Sequence, residues 1–166
     1  MSAIVLRPYL PADAKRCLAI FRASIDEMAS EDYDDDQREA WKSGASDLAA
    51  FARRLGEALT LLASVDGAVA GFASLKGAAS IDMLYVDPAF SRRGVGATLI
   101  DALIRLAEAR GVDSLTSDVS DTAKPLFERR GFVAERRNLV LVGDQWLGNT
   151  TMAKALAKPA GSAKPH

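Results

Sequence analysis

Two arginines and two glycines stand together in the segment "SRRGVGATL", residues 91–99. A β-prone run precedes this segment and a helical pattern follows it, which places the glycines at the N-terminus of a helix. The first N–H groups of a helix lack partners, and the helix dipole is positive at that end. Glycine leaves the backbone open to a large anion, and the planar guanidinium group suits phosphate oxygens. The junction therefore predicts a phosphate site, with a loop of solvated arginines as the alternative.

Neither of two common phosphate motifs occurs in the chain. A P-loop requires the pattern G-x-x-x-x-G-K-[ST], which the sequence lacks. The dinucleotide fingerprint G-x-G-x-x-G requires a glycine where Leu99 stands, and the run follows several strands and helices instead of opening the fold. A dinucleotide-dependent oxidoreductase is therefore a disfavoured alternative.

Composition argues against several other classes of function. The 166 residues carry a net charge of −1 and include one cysteine and one histidine. Because His166 ends a polar tail and Cys17 falls on a helical pattern, we expect neither a Ser–His or Cys–His catalytic pair nor a metal site. The charge gives no attraction to nucleic acid, and no apolar run reaches the ~20 residues of a membrane span. A single cysteine fits a reducing compartment, so the sequence predicts a cytoplasmic protein without nucleic-acid or membrane partners.

Apolar periodicity outlines the elements that must position the junction. A strand near residues 4–9 comes first, followed by an amphipathic helix after Pro11 and two shorter helical segments up to residue 59. Three strand-like runs span residues 60–86, and "DG" at residues 66–67 predicts a tight hairpin turn between the first two. A helix over residues 96–110, a strand, a short helix with Asp121 as its N-cap, and two strands complete the chain.

This order of elements predicts one α/β domain over residues 1–158 and a disordered tail over residues 159–166. Strand–helix–strand units need a parallel strand pair, whereas the hairpin needs antiparallel neighbours. The expected fold is a central mixed sheet of six or seven strands with helices on both faces.

The run "LYVDPAFSRRGVGATLIDALIRLAEARG", followed by "AKPLFERRGF", resembles the GNAT superfamily of acetyl-CoA-dependent N-acetyltransferases. That family carries [Q/R]-x-x-G-x-[G/A] at the start of its central helix and later a pattern like A-x-x-F-Y-x-x-x-G-F. The likeness spans about residues 60–156. It implies a GNAT-like fold, acetyl-CoA as cosubstrate, and transfer of the acetyl group to an amine of a small molecule or peptide. Ser91 and Phe127 depart from the pattern, since the family has Gln or Arg at the first position and Tyr at the second.

The resemblance implies a coenzyme A site in three parts. The junction would cradle the pyrophosphate through Ser91, Arg92, Arg93, Gly94, Val95, Gly96 and Ala97. Main-chain groups of Leu84, Tyr85 and Val86 would pair with the pantetheine arm as an added strand would. Ser120, Lys124 and Phe127 would lie along the pantetheine, the thiol or the nucleotide.

Acetyl transfer needs a base for the arriving ammonium group and a donor for the oxyanion. Asp82 is the predicted base, and Tyr85 is the second predicted catalytic residue. Because side chains alternate along a regular strand, these two residues reach one site only across a bulge. The alternative is that Asp82 is structural and Tyr85 packs in the core. Phe127 lacks the phenol that the family's Tyr would offer as a general acid.

The acidic stretch around Asp32 has two interpretations. It forms a solvated loop and helix cap, or, as the resemblance implies, it borders the acceptor pocket. In the second interpretation Asp32 attracts a cationic amine, and Tyr33 or Trp41 forms an aromatic wall. A non-catalytic acyl-CoA-binding regulatory module is the alternative function, mainly because of Phe127. An exposed terminal strand favours a homodimer.

Overall fold

The structure is a computed structural model that describes residues 3–157. The tail predicted at residues 159–166 lies outside the described residues, as do residues 1, 2 and 158. The helices and strands follow the predicted order. The first half contains β1 (Ile4–Pro8), α1 (Ala14–Met28), α2 (Asp35–Ser43), α3 (Leu48–Glu57), β2 (Leu59–Val65), β3 (Ala68–Lys76) and β4 (Ser80–Val86). The second half contains α4 (Val95–Ala109), β5 (Ser114–Ser120), α5 (Lys124–Arg129), β6 (Val133–Val142) and β7 (Gln145–Ala155).

The seven strands within residues 3–157 form one mixed sheet in the order β1-β2-β3-β4-β5-β7-β6. Asp66 and Gly67 have positive φ angles of 52° and 81° and connect β2 to antiparallel β3, as the sequence predicts. β4 and β5 run parallel. The predicted α/β class with a mixed sheet is therefore confirmed.

Apolar side chains build a core on each face of the sheet. On one face α4 contributes Leu99 and Leu103, both fully buried. On the other face α1 and α3 contribute Phe21 and Leu55, which pack with Phe72 of β3. These side chains lie on one stripe of each helix, as the apolar spacing predicts. No helix among the described residues is long and apolar enough to cross a bilayer.

β4 and β5 pair over a short distance and then separate. Residues 80 and 81 pair with residues 116 and 117, after which β4 continues to Val86 and β5 to Ser120. The other edge of β4 stays paired with β3 to the end of the strand. A gap therefore opens in the middle of the sheet, and within residues 3–157 the edge of β4 that faces it has no strand partner.

A bulge interrupts β4 next to this gap. Ser74 pairs with Met83 and Leu75 pairs with Ile81, so Asp82 has no opposite residue on β3. Ile81 consequently packs in the core beside α4, whereas Met83 packs in the core beside α1 and α3. Because of the bulge, the side chains of Ile81 and Met83 lie on opposite faces of the sheet, although residues two apart in a regular strand lie on the same face.

Local polar contacts fix the ends of two helices. Asp34 caps α2 and accepts a hydrogen bond from the N–H of Gln37, as expected for an acidic stretch that includes a helix cap. The predicted cap of α5 is wrong, because Asp121 instead pairs with Arg137 of β6. The hydroxyl of Ser120 accepts from the N–H at the start of α5 in its place. Asp121 and its partner are 16 residues apart, so no local pattern indicates their contact.

Candidate active site

A cleft of about 690 Å³ runs from the N-terminus of α4 to the gap between β4 and β5. The predicted cofactor residues that line it are Leu84, Tyr85, Val86, Ser91, Arg92, Gly94, Val95, Gly96, Ala97 and Ser120. Arg93, Lys124 and Phe127 lie outside this lining. The end of α1 with the loop after it, Trp41 of α2, Phe90, and α5 with the loop before it supply the rest of the wall. The cleft is therefore continuous from the predicted phosphate site to the unpaired edge of β4.

The first turn of α4 has the geometry of an anion site. Gly94 is the N-cap with a φ angle of 82°, and Arg92 also has a positive φ angle, of 62°. Backbone of this kind turns successive N–H groups toward a common point. Within residues 3–157 no side chain caps α4, so its first N–H groups stay available to a ligand in the cleft. These donors fit a diphosphate.

Gly96 is required for packing between two helices, whereas Gly94 is required for its backbone conformation. A Cβ atom at this position would lie 2.9 Å from Cδ2 of Leu126 on α5. That distance is too short for an unstrained contact, so Gly96 allows the close packing of α5 against α4. The glycine pair in the sequence thus combines a turn requirement at Gly94 with a packing requirement at Gly96.

The arginines near the cleft have distinct positions. Arg92 lines the cleft, whereas the guanidinium carbon of Arg93 lies 5.5 Å from the ring centre of Phe90 in a cation–π contact. Arg129 and Arg130 at the end of α5 also line the cleft, although no pattern in the sequence indicated them. Arg130 is paired with Asp101 at 3.1 Å, so Arg92 and Arg129 are the cations that can contact a phosphorylated ligand. Glu27 and Glu31 also line the cleft.

A second cavity of about 190 Å³ lies where β4 and β5 separate, between α2 and β7. The residues that it shares with the cleft are Trp41, Leu84, Tyr85, Ser120 and Ala123. The two cavities therefore meet at the gap in the sheet. Such a junction can hold two substrates with their reacting atoms close together.

Asp82 lines the second cavity at the bulge of β4. Its carboxylate oxygens accept hydrogen bonds from Arg54 of α3 at 2.8 and 2.9 Å. The hydrogen bond to Asp82 raises the pKa of the Arg54 guanidinium. This two-bond ion pair connects α3 to β4, which favours the structural interpretation of Asp82.

Tyr85 lines both cavities. The centre of its ring lies 4.8 Å from that of Phe21 and 6.3 Å from that of Trp41. Burial raises the pKa of the Tyr85 phenol to about 12, against the opposing effect of a hydrogen bond with Trp41. The phenol is therefore protonated at neutral pH and can donate a proton. The bulge brings Asp82 and Tyr85 to the same cavity.

The predicted acceptor residues divide into two groups. Tyr33 and Trp41 line the second cavity, with ring centres 5.3 Å apart. The Tyr33 hydroxyl is occupied, since it donates to the carbonyl of Gly148 at 2.6 Å and accepts from the N–H of Asp121 at 2.9 Å. Asp32 lines neither cavity. Its carboxylate instead accepts from the hydroxyl of Thr122 at 2.9 Å, which joins the loop after α1 to the loop before α5.

Two predicted cofactor residues of α5 lie away from the cleft. Phe127 is 2% exposed, and its ring centre lies 5.0 Å from that of Phe132 in the core beside α4. It lines only the second cavity. Lys124 begins α5 and lines neither cavity. Phe127 thus has a packing role that requires no hydroxyl.

Asp118 is a further residue of the site that no pattern in the sequence indicated. This residue follows Ser117, the last residue of β5 that pairs with β4, and it lines the second cavity. Its carboxylate accepts a hydrogen bond from the hydroxyl of Thr151 at 2.6 Å. Asp118 and Asp82 each directly follow the last pair between the two strands. Only the register of β4 against β5 indicates that they are neighbours.

Comparison with known proteins decides the family. Residues 29–156 match the family described as the Acetyltransferase (GNAT) domain. The N-acetyltransferase YafP of Escherichia coli (strain K12) is 34% identical over 152 residues, which cover 92% of this chain and 96% of YafP. The chain belongs to the GNAT acetyltransferase family. The predicted resemblance is confirmed, and this GNAT protein is an acyltransferase.

Solved structures of GNAT proteins share its fold. A GCN5-related N-acetyltransferase from Rhodopseudomonas palustris is 54% identical, with a TM-score of 0.91 over 94% of this chain and 98% of that chain. The PaiA N-acetyltransferase from Thermoplasma acidophilum, solved in complex with coenzyme A, is 18% identical, with a TM-score of 0.77 over 92% of this chain and 99% of that chain. The second likeness concerns the fold alone.

The GNAT protein has one thiol, and the structure predicts that it is unreactive. Cys17 is fully buried, and this burial raises the pKa of its thiol to about 12. Because the thiolate is the reactive form, we expect no reaction of the native protein with DTNB at neutral pH. Unfolding in guanidinium should release one reactive thiol per chain, measured by absorbance. Rapid reaction before unfolding would contradict the buried position of Cys17.

Proposed function

We propose that this GNAT acetyltransferase moves an acetyl group from acetyl-CoA to a primary amine by direct transfer within one ternary complex. The first turn of α4 holds the pyrophosphate with backbone N–H groups and Arg92. The unpaired edge of β4 at Leu84, Tyr85 and Val86 pairs with the pantetheine arm. The thioester then lies at the gap, and the amine enters through the second cavity. The single observation that carries this proposal is the continuity of the two cavities at the gap.

The thioester supplies an activated acetyl group, so the protein mainly aligns the reactants and moves protons. The ammonium group of the acceptor first gives a proton to solvent. The nitrogen lone pair then forms a bond to the carbonyl carbon, and the C=O π pair moves to the oxygen, which becomes the oxyanion. The C–S bond breaks, and its electron pair leaves with the sulfur. A proton from the new amide nitrogen goes to solvent, and the thiolate takes a proton to become the free thiol. Backbone N–H groups on the free edge of β4 stabilise the oxyanion.

Tyr85 is the proposed proton donor for the departing thiolate. A phenol is protonated at neutral pH, and burial raises the pKa of this one to about 12, so it keeps its proton until the sulfur develops negative charge. It also lines both cavities, so it can contact both substrates. In this role Tyr85 supplies the hydroxyl that Phe127 lacks. Asp82 is the predicted base, but its carboxylate already accepts two hydrogen bonds from Arg54, so in this proposal the ammonium proton goes to solvent.

A direct transfer fits the position of the sole cysteine. A covalent relay through the protein needs a nucleophile at the thioester. Cys17 lines neither cavity. Its side chain packs in the core between α1 and the sheet. The acetyl group therefore passes between the two bound substrates without an acetyl-enzyme.

Thermal unfolding with and without ligands tests the cofactor. A ligand that binds only the folded state stabilises it, by about 2.7 kcal/mol at a concentration of 100 Kd. We expect acetyl-CoA and coenzyme A to raise Tm and NAD to leave it unchanged. Release of free thiol from acetyl-CoA in the presence of primary amines then tests the transfer.

The two measurements separate the competing functions. Protection by acetyl-CoA without thiol release from any amine would favour the acyl-CoA-binding regulatory module. Protection by NAD but not by acetyl-CoA would favour the oxidoreductase and contradict the proposed cofactor.

Two further predictions concern assembly and location. β6 lies at one edge of the sheet, and Val133, Leu139 and Leu141 on this strand are exposed. These apolar side chains support the predicted homodimer. The cytoplasmic location stays a prediction from the single cysteine.

A further inference from the structure

We propose that the acceptor is a small cationic amine with an apolar or aromatic body and no carboxylate group, and that Asp118 binds its ammonium group. This inference rests on the proposed function, because it assigns the second cavity to the acceptor.

The walls of the second cavity match an apolar body. Val142 and Leu147 provide aliphatic surface, and the aromatic residues of the lining are Tyr33, Trp41, Tyr85 and Phe127. An apolar cavity of about 150 Å³ holds one benzene molecule. A volume of about 190 Å³ therefore fits one ring with a short chain. An extended peptide exceeds this space.

The charges around the cavity favour an acceptor with an ammonium group and disfavour one with a carboxylate group. Among residues 3–157 its lining includes two carboxylates, Asp82 and Asp118, and no lysine or arginine. Arg54 already neutralises Asp82 through two hydrogen bonds. A carboxylate on the acceptor would therefore lie near Asp118 without a cation in the lining to compensate it. A cationic amine instead gains an ionic partner.

Asp118 is well placed to bind the ammonium group. It directly follows the last residue of β5 that pairs with β4, so it lies where the gap begins. Its carboxylate accepts one hydrogen bond from Thr151, which leaves further lone pairs for an ammonium donor. Asp118 is also exposed, so an amine arriving from solvent can reach it. An amine bound here has its nitrogen next to the proposed thioester position.

Three acceptors test whether the cavity disfavours a carboxylate group: 2-phenylethylamine, phenylalanine and phenylalanine methyl ester. The first two share the ring and the amine and differ by a carboxylate, and the ester keeps the bulk but removes the charge. We expect kcat/KM for 2-phenylethylamine to exceed that for phenylalanine by roughly 100-fold, since like charges brought together disfavour binding strongly. The ester should recover most of this difference. Free thiol release from acetyl-CoA measures all three.

An isosteric variant tests the assigned residue. Asp118→Asn keeps an oxygen acceptor for Thr151 and removes the charge, so we expect KM for 2-phenylethylamine to rise roughly 10-fold or more. Protection of Tm by acetyl-CoA should be unchanged, which separates this effect from misfolding. Glu57→Gln removes a charge at an exposed residue of α3 outside both cavities and should leave KM unchanged.

Each contrary result has a defined meaning. Equal use of phenylalanine and 2-phenylethylamine, or preference for a peptide amine over both, overturns this inference and leaves the proposed function intact. An unchanged KM in Asp118→Asn overturns the role of Asp118. If acetyl-CoA protects the protein but no amine releases thiol, the proposed transfer fails, and this inference fails with it.

Discussion

Replacing Tyr85 by phenylalanine is expected to lower kcat about 100-fold, because general acid catalysis contributes roughly that factor or more. The affinity for acetyl-CoA should change little, since the proposed cofactor contact of Tyr85 is made by its main chain. Thiol-release kinetics give kcat, and calorimetry gives the Kd for acetyl-CoA. The phenol of an exposed tyrosine ionises near pH 10, whereas burial raises the pKa of Tyr85 to about 12. We therefore expect no loss of wild-type rate as the pH passes through 10 from ionisation of this residue.

A second substitution shows whether the loss of rate in Tyr85→Phe comes from the missing phenol hydroxyl. Phe127 lines the same cavity, so Phe127→Tyr in the Tyr85→Phe background offers a replacement phenol and should restore part of kcat. Tyr9→Phe is the matched control, because within the described residues its hydroxyl is buried without a partner and lines neither cavity. An unchanged kcat in Tyr85→Phe would remove Tyr85 from the mechanism.

Arg92→Ala should weaken coenzyme A binding roughly 10- to 100-fold, since a hydrogen bond to a charged group contributes about 1.5–3 kcal/mol. Affinity for acetyl-pantetheine, which lacks the diphosphate, should be unaffected. Arg93→Ala should have a smaller effect because that guanidinium contacts Phe90. Arg53→Ala removes the same charge at an exposed position of α3 outside both cavities and serves as the control. Calorimetry of the wild type and the three variants with both ligands measures these affinities.

A matched pair of glycine variants tests the backbone N–H donors at the start of α4. Gly94 and Gly67 have φ angles of 82° and 81°. An added Cβ atom would lie 4.0 Å from Cδ1 of Ile4 at Gly94 and would have no neighbour within 4 Å at Gly67. Alanine at either position costs about 1–2 kcal/mol of strain in a left-handed conformation. We expect Gly94→Ala and Gly67→Ala to lower the free energy of unfolding similarly, and only Gly94→Ala to weaken coenzyme A binding. Equal coenzyme A affinity in both variants would contradict the phosphate site at α4.

Local patterns in the sequence were sufficient for most of the fold. The hairpin at Asp66 follows from turn chemistry, and the helix after Gly94 follows from apolar spacing and a glycine-rich start. These features depend on neighbouring residues, so one sequence reveals them. Asp121 shows the limit, since an arginine on a distant strand takes its carboxylate away from the predicted cap.

The chemistry at the gap was less predictable, because it depends on register between strands. The bulge at Asp82 is defined only against β3, and Arg54, its partner, is 28 residues earlier in the chain. Asp118 becomes relevant only once β5 is aligned with β4. Family resemblance indicated the region of the acceptor cavity, but it did not indicate the carboxylate of Asp118.

The short contact between β4 and β5 has a mechanical consequence. Four residues, 80, 81, 116 and 117, form the ladder between the strand sets β1–β4 and β5–β7. In the proposed complex, pantetheine adds backbone hydrogen bonds to β4 at the place where the sheet is divided. Acetyl-CoA bound between β4 and Ser120 of β5 then links the two half-sheets beyond the ladder, and departure of the product removes this link. Amide hydrogen exchange at the unpaired edge of β4 should thus be slower while acetyl-CoA is bound than after the product has left, in every turnover cycle.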